Sequence, residues 1–187
     1  KEPFTEFFLE APGGLVKVRA SCKNGKAERI FIQNLPSFAF KLDAILELEG
    51  FGTISADTAF GGDSFVLVNA QKLGFAIEPS EAADLARLGA KITDAATEQI
   101  GFHHPVISEW KHYSFCQFSS MENFTENCIK FKSAVSVKPG KIDRSPTGTA
   151  LSAKMAVLEA QKELKVGQRI KAISIIGSTF EGRIVEK

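Results

Sequence analysis

The chain has 187 residues, and its 23 Lys+Arg against 22 Asp+Glu leave a formal net charge of +1. With 44% apolar and 24% charged residues, the composition is globular and excludes a disordered chain, a collagen-like repeat and a coiled-coil rod. The balanced charge gives no electrostatic reason to bind nucleic acid, and no apolar run approaches the roughly 18 residues of a membrane span.

At roughly 150 residues per domain the length predicts a single domain over residues 1–187. Sixteen Phe against one Tyr and one Trp suggest a core built on large side chains that need no hydrogen-bond partner. The chain begins at Lys1, with neither an initiator Met nor a secretory apolar region, so a cytoplasmic piece of a longer protein is expected. Cys22, Cys116 and Cys128 are odd in number and widely spaced, which makes no disulfide framework and no zinc motif. They read as packed apolar residues in a reducing compartment.

In chain order, Phe4 to Glu10 reads as a strand closed by Ala11-Pro12-Gly13-Gly14. Leu15, Val16 and Val18 lead into Asn24-Gly25, a hairpin signal, and Lys26 to Gln33 forms the return strand. Leu42 to Glu49 alternates as a half-buried strand. Ile54 to Phe60, Gly61-Gly62 and Phe65 to Val68 read as strand, turn, strand. Pro79 and Ser80 open a helix whose Leu85, Leu88, Ile92, Ala96 and Ile100 recur at spacings of three and four. Gly89 inside it costs about 1 kcal/mol relative to Ala, so a close backbone contact is expected there. Strands resume at Tyr113 to Phe118 and at Ile129 to Val137. A second helix runs from Ala150 to about Leu164 and is apolar most of the way round, hence buried. Ile170 to Ile176 and Arg183 to Val185 supply the last strands. The expected fold class is α+β, a large antiparallel sheet or barrel wrapped around the late helix.

Asp143-Arg144-Ser145-Pro146-Thr147-Gly148-Thr149 is the stretch richest in chemistry. Pro146 moves Ser145 out of the helical region, and Gly148 permits an unusual backbone angle or close ligand approach. The buried helix starts immediately afterwards. The N–H groups of Gly148, Thr149 and Ala150 would then form a site for a carboxylate or phosphate at the helix N-terminus. The other reading is an ordinary cap by Thr147 or Thr149, with Asp143 as a turn residue.

That stretch resembles the second active-site motif of the proline racemase family, which includes proline racemases, 4-hydroxyproline epimerases and trans-3-hydroxy-L-proline dehydratases. Glu10-Ala-Pro-Gly-Gly-Leu-Val16 is similar to the family's Thr-Pro-Ala-Gly-Leu-Val segment. Asn34-Leu-Pro-Ser-Phe38 resembles Asn-Val-Pro-Ser-Phe, and Asp57-Thr-Ala-Phe-Gly-Gly62 resembles Asp-Val-Ala-Tyr-Gly-Gly. Ser174-Ile-Ile-Gly-Ser178, with Phe180 and Gly182-Arg183, resembles a segment near the family's C-terminal region. The resemblance implies two lobes like those of diaminopimelate epimerase, each a sheet wrapped around a helix, with a cofactor-free and metal-free site between them. It implies that Gly148 and Thr149 hold the substrate carboxylate, that Asp143 meets the ring nitrogen of an imino acid, and that Thr147 occupies the second acid/base position. Val137 would line the ring pocket.

Two departures shape the expected function. Racemases and epimerases carry Cys where Thr147 stands. A thiol of reference pKa near 8.5 can exchange roles as acid and base, whereas a Thr hydroxyl cannot do so without a strong activator. A one-base reaction is therefore favoured, with dehydration of trans-3-hydroxy-L-proline preferred over racemisation or 4-hydroxyproline epimerisation. The family's Met-Cys-Gly-His motif is also missing from the chain. The 187 residues are thus expected to be one lobe, inactive alone, with a non-catalytic carboxylate-binding lobe as the alternative of another class. The expected partner is a small imino acid, with no nucleic acid or membrane; a homodimer is allowed. His103, His104 and His112 show no metal spacing and read as structural, as does Asp57. Trp110 reads as a partly buried anchor.

Overall fold

The computed structural model describes residues 3–125 and 128–187. The chain divides into two compact units, Lys1–Pro36 and Ser37–Lys187.

The first unit is an antiparallel three-stranded sheet of β1 (Phe4–Ala11), β2 (Gly14–Lys23) and β3 (Lys26–Gln33). The β2–β3 turn is the expected Asn24-Gly25, with φ of 51° and 72°, the pair of positive angles that a two-residue hairpin turn requires. The register aligns Phe7, Val18 and Ile32 across the three strands, with Thr5, Ala20 and Ile30 in the next row of that face. Val18 and Ala20 on the central strand are buried, whereas Phe7, Ile30 and Ile32 on the outer strands are exposed.

The second unit holds an eight-stranded sheet and both long helices. Its strands are β4 (Phe38–Leu48), β5 (Gly52–Phe60), β6 (Ser64–Asn69), β7 (Phe115–Phe124), β8 (Cys128–Val137), β9 (Lys141–Ile142), β10 (Arg169–Ser174) and β11 (Thr179–Gly182). The helices are α1 (Ala82–Gln99), entered through a short 3-10 turn at Pro79–Glu81, and α2 (Gly148–Ala160). The spatial order is β11-β10-β8-β7-β6-β5-β4, with β9 paired to β8.

The sheet is mixed rather than wholly antiparallel as expected, because β6 pairs with β7 and β8 with β10 in parallel. Each parallel pair is joined by a helix, α1 in the first and α2 in the second. Both crossovers step the same way across the sheet, but on strands of opposite direction, since β7 and β8 are antiparallel. Right-handed crossovers then place the two helices on opposite faces. The side chains of β6 record this division. Val66 and Val68 belong to the core with Leu85, Leu88 and Ile92 of α1. Phe65 and Leu67 belong to the core with Ala150, Ala153 and Val157 of α2.

Two glycines set how closely the layers approach. A Cβ on Gly89 of α1 would lie 2.3 Å from Ser136 Cβ, the close contact expected from its place in the helix. A Cβ on Gly61 would lie 2.1 Å from the Thr149 carbonyl oxygen and 2.3 Å from the Ala153 nitrogen. The end of β5 therefore lies directly on the backbone of α2.

The enveloped late helix is present with shifted bounds, Gly148–Ala160 rather than Ala150 to Leu164. Lys162 takes φ 63°, and the Glu163 and Leu164 N–H groups both donate to Leu158 O, which closes the helix without a glycine. Leu164 is nonetheless buried with Leu151 and Leu158, which is why the apolar pattern runs on past the helix. The last strand, expected near Arg183 to Val185, instead follows directly on the Gly177 turn as β11.

Candidate functional site at the start of the enveloped helix

The site is assembled from the loop between β9 and α2. Asp143 is tied to the sheet by its N–H, which donates to Val135 O at 2.9 Å. Its carboxylate then organises the loop. Ser145 N donates to Asp143 Oδ1 at 2.8 Å and Ser145 Oγ to Oδ2 at 2.9 Å. Thr147 Oγ1 donates to the same Oδ2 at 2.5 Å. The Thr147 N–H in turn donates to Ser145 Oγ at 3.1 Å. Behind the loop, Ser178 Oγ donates to Arg144 O at 3.2 Å, which links the motif to the β10–β11 turn.

Asp143 is thus the turn residue of the ordinary-cap reading, but Thr147 is not a conventional cap. It occupies the N-cap position with φ 59° and ψ 104°, and no side chain caps the helix. Its hydroxyl turns back to Asp143 instead. The first helical bond runs from Leu151 N to Thr147 O, so the N–H groups of Gly148, Thr149 and Ala150 precede the helical ladder.

Burial alone would raise the Asp143 carboxyl. The hydrogen bonds from Thr147 and Ser145, with the nearby Arg144 charge, outweigh it and hold the group below the ordinary carboxylate range. With about two acceptor positions on each oxygen, Oδ2 is filled by Ser145 and Thr147. Oδ1, holding only Ser145 N among these contacts, can accept one further donor.

Thr147, Asp143, Gly148 and Thr149 are brought together in this loop and first turn, each at least partly exposed. Val137 lies at the end of β8, partly buried against the α2 core that contains Ala150. The sequence reading missed Ser145, which both donates to Asp143 and accepts from Thr147. The signal was available, because a Ser two residues after an Asp is an Asx-turn pattern.

The other singled-out residues lie apart from this constellation. Asp57 accepts from Asp43 N at 3.0 Å and from Gln161 Nε2 at 3.3 Å, a structural role. His104 accepts the Val106 and Ile107 N–H groups on Nδ1. Trp110 donates to Ser64 Oγ at 3.0 Å and packs edge-on against Phe60. Cys116 is fully buried, and burial pushes its thiol up, away from reactivity.

A family profile described as proline racemase matches residues 1–187. The chain belongs to the proline racemase family. A probable proline racemase from Agrobacterium radiobacter K84, solved with bound carbonate, is similar at 32% identity and a TM-score of 0.88; the match covers 97% of this chain and 52% of that one. A hydroxyproline epimerase from Agrobacterium vitis, solved with bound trans-4-hydroxy-L-proline, is similar at 34% identity and the same TM-score, again over 97% of this chain and 52% of that one. The chain therefore spans about half the length of these family members. This chain has the fold of the half that it matches in these structures, and imino-acid isomerase chemistry is the family's general activity.

Proposed function

We propose that these residues form one side of a cofactor-independent site acting at the α-carbon of a cyclic imino acid, and that the reaction of the whole protein is dehydration of trans-3-hydroxy-L-proline. The observation that carries this reading is Thr147 Oγ1 donating to Asp143 Oδ2 at the position where the racemase pattern has Cys. A carboxylate beside a hydroxyl orients it, but an alcohol remains too weak an acid to serve as a proton-exchanging base in the way a thiol does. One face of the α-carbon is then left without a base.

In the proposed arrangement the substrate carboxylate takes the N–H groups of Gly148 and Thr149, assisted by the helix dipole. Gly148 supports this, since a Cβ there would meet nothing within 4 Å, so packing within the chain does not require the glycine. Asp143 Oδ1 accepts the ring N–H, a charge-assisted bond to an ammonium. A base on the opposite face removes the α-proton. The released electron pair forms the C2–C3 double bond, the C3–O bond breaks, and the hydroxyl leaves as water after taking up one proton. The net loss is one water, and the enamine then tautomerises to the cyclic imine. The family's Cys-Gly-His motif, which would supply the base, is not among these 187 residues. The chain alone is expected to show no turnover.

The test is to incubate the whole protein with trans-3-hydroxy-L-proline and, separately, with trans-4-hydroxy-L-proline. Cyclic imine from the first substrate is the expected result. Epimerisation of the second without dehydration of the first would overturn the dehydratase reading and favour an epimerase. Thr147→Cys is expected to gain epimerase activity.

A further inference from the structure

The far half of α2 borders a second, polar space. On the α2 face of the sheet, Asp57 pairs with Leu67, and Asn69 pairs with Ser119 one row further from the Asp143 loop. With Lys154 of α2 and with Glu163 past the helix end, these residues line a cavity of about 260 Å³. That volume lies below the roughly 300–1,000 Å³ typical of larger ligands, so the space suits a small molecule. Lys154 is six residues beyond Gly148 in the same helix, about 9 Å along its axis, which separates the cavity from the Asp143 loop.

Opposite charges face this space without meeting. Among the described residues, the Lys154 ammonium makes no hydrogen bond and no close ion pair. Burial lowers its pKa more than the attraction of Asp57 and Glu163 raises it, so its charge is under-compensated. The Asp57 carboxylate is fixed by other donors, Asp43 N on Oδ1 at 3.0 Å and Gln161 Nε2 on Oδ2 at 3.3 Å. The first of these is a backbone group, held by the β4 irregularity in which Asp43 takes φ 51°. With about two acceptor positions on each oxygen, Asp57 can accept further donors.

We propose that this cavity is a second ligand site, which binds a small zwitterionic amino acid with its carboxylate on the Lys154 ammonium and its ammonium between Asp57 and Glu163. A partly buried ammonium is costly unless an acceptor pairs with it, and a ligand carboxylate supplies one through a charge-assisted bond. A simple anion would gain Lys154 but face the carboxylates of Asp43, Asp57 and Glu163, which line the same cavity. A simple cation would gain those carboxylates but set a like charge beside Lys154. A molecule that carries both charges satisfies both walls at once. The site does not depend on the imino-acid reading of the Asp143 loop.

The experiment measures calorimetric binding of glycine, L-serine, acetate and methylammonium to the whole protein, with thermal melts to confirm that each variant folds. At least one of the two amino acids is expected to bind, about tenfold or more tightly than acetate or methylammonium. Lys154→Met is expected to weaken that binding about tenfold or more, the loss of a hydrogen bond between charged groups. Glu163→Gln, at an exposed position, is expected to weaken it several-fold and decides the matter if Lys154→Met does not fold. Asp143→Asn is expected to leave it unchanged. Binding of neither amino acid, equal binding of acetate or methylammonium, or unchanged affinity in folded Lys154→Met or in Glu163→Gln overturns the proposal. Binding that is lost in Asp143→Asn also overturns it, because the amino acid then occupies the Asp143 loop.

Discussion

The two helices of the larger unit lie on opposite faces of one sheet and differ in what surrounds them. α1 keeps an exposed flank of Asp84, Arg87, Lys91, Asp94 and Glu98 and buries Leu85, Leu88, Ile92 and Ala96. Along α2 only the terminal Gly148 and Ala160 are exposed. Its one lysine, Lys154, lines a cavity of about 260 Å³ with Asp57 and Glu163. Burial pulls the Lys154 ammonium below its usual pKa, against the attraction of those two carboxylates. α2 is covered along most of its length, and the Asp143 loop prepares its N-terminal end. α1 carries the sheet's other face and can vary on its solvent side.

The sharpest way to break this comparison is to push each helix off the sheet by one methyl group. Gly61→Ala places a Cβ on α2 backbone atoms, which cannot rotate away. The expected loss exceeds about 3 kcal/mol, above the usual range for overpacking, and chemical denaturation measures it. A loss below about 1 kcal/mol would mean that α2 yields easily and is not held as described. Gly89→Ala is the matching test on α1. Its methyl meets Ser136 Cβ and Oγ and disturbs the bond that Ser136 Oγ donates to Ala86 O. Overpacking of about 1–3 kcal/mol is offset by roughly 1 kcal/mol of helix propensity. The net loss is expected at about 0–2 kcal/mol, smaller than at Gly61.

Much of this arrangement is legible in the sequence, and the misses share a cause. The turns at Asn24-Gly25 and Gly61-Gly62 and the period of α1 are local signals, and they appear where expected. The second helix, apolar most of the way round, is enveloped as expected. The parallel pairs were missed because strand direction in a sheet is decided by crossovers tens of residues long. The end of α2 was missed because Lys162, an unusual residue for a left-handed position, closes the helix. At the site, Asp143, Thr147, Gly148 and Thr149 were legible as a contiguous motif. The pairing that sets Val137 of β8 beside Phe115 of β7 was not, since register across strands leaves no trace in either segment alone.

The N-terminal end of α2 makes a smaller, pH-dependent prediction. The Asp143 carboxyl is held below its reference value of 3.8 in the folded chain. A depressed carboxyl contributes stability that is present above the unfolded pKa and is lost as pH falls through the folded one. Asp143→Asn is therefore expected to lower the unfolding midpoint near neutral pH, with the gap to wild type closing below about pH 3.8. The group is partly exposed, so solvent screening keeps the effect modest, under about 1 kcal/mol. A gap that widens on acidification would show that the hydrogen bonds to Asp143 do not favour its charged form.

The smallest effect is expected on the exposed flank of α1. Arg87 pairs with Asp84 one turn earlier, both well exposed. Such a pair contributes about 0.3–0.5 kcal/mol. Arg87→Ala removes it, but also removes a cation from the first turns, where the helix dipole disfavours positive charge, and Ala is the strongest helix former. These terms nearly cancel, so stability is expected to stay within about 0.5 kcal/mol of wild type. A loss of 2 kcal/mol or more would mean that this flank is engaged as closely as α2 and would remove the distinction between the two helices.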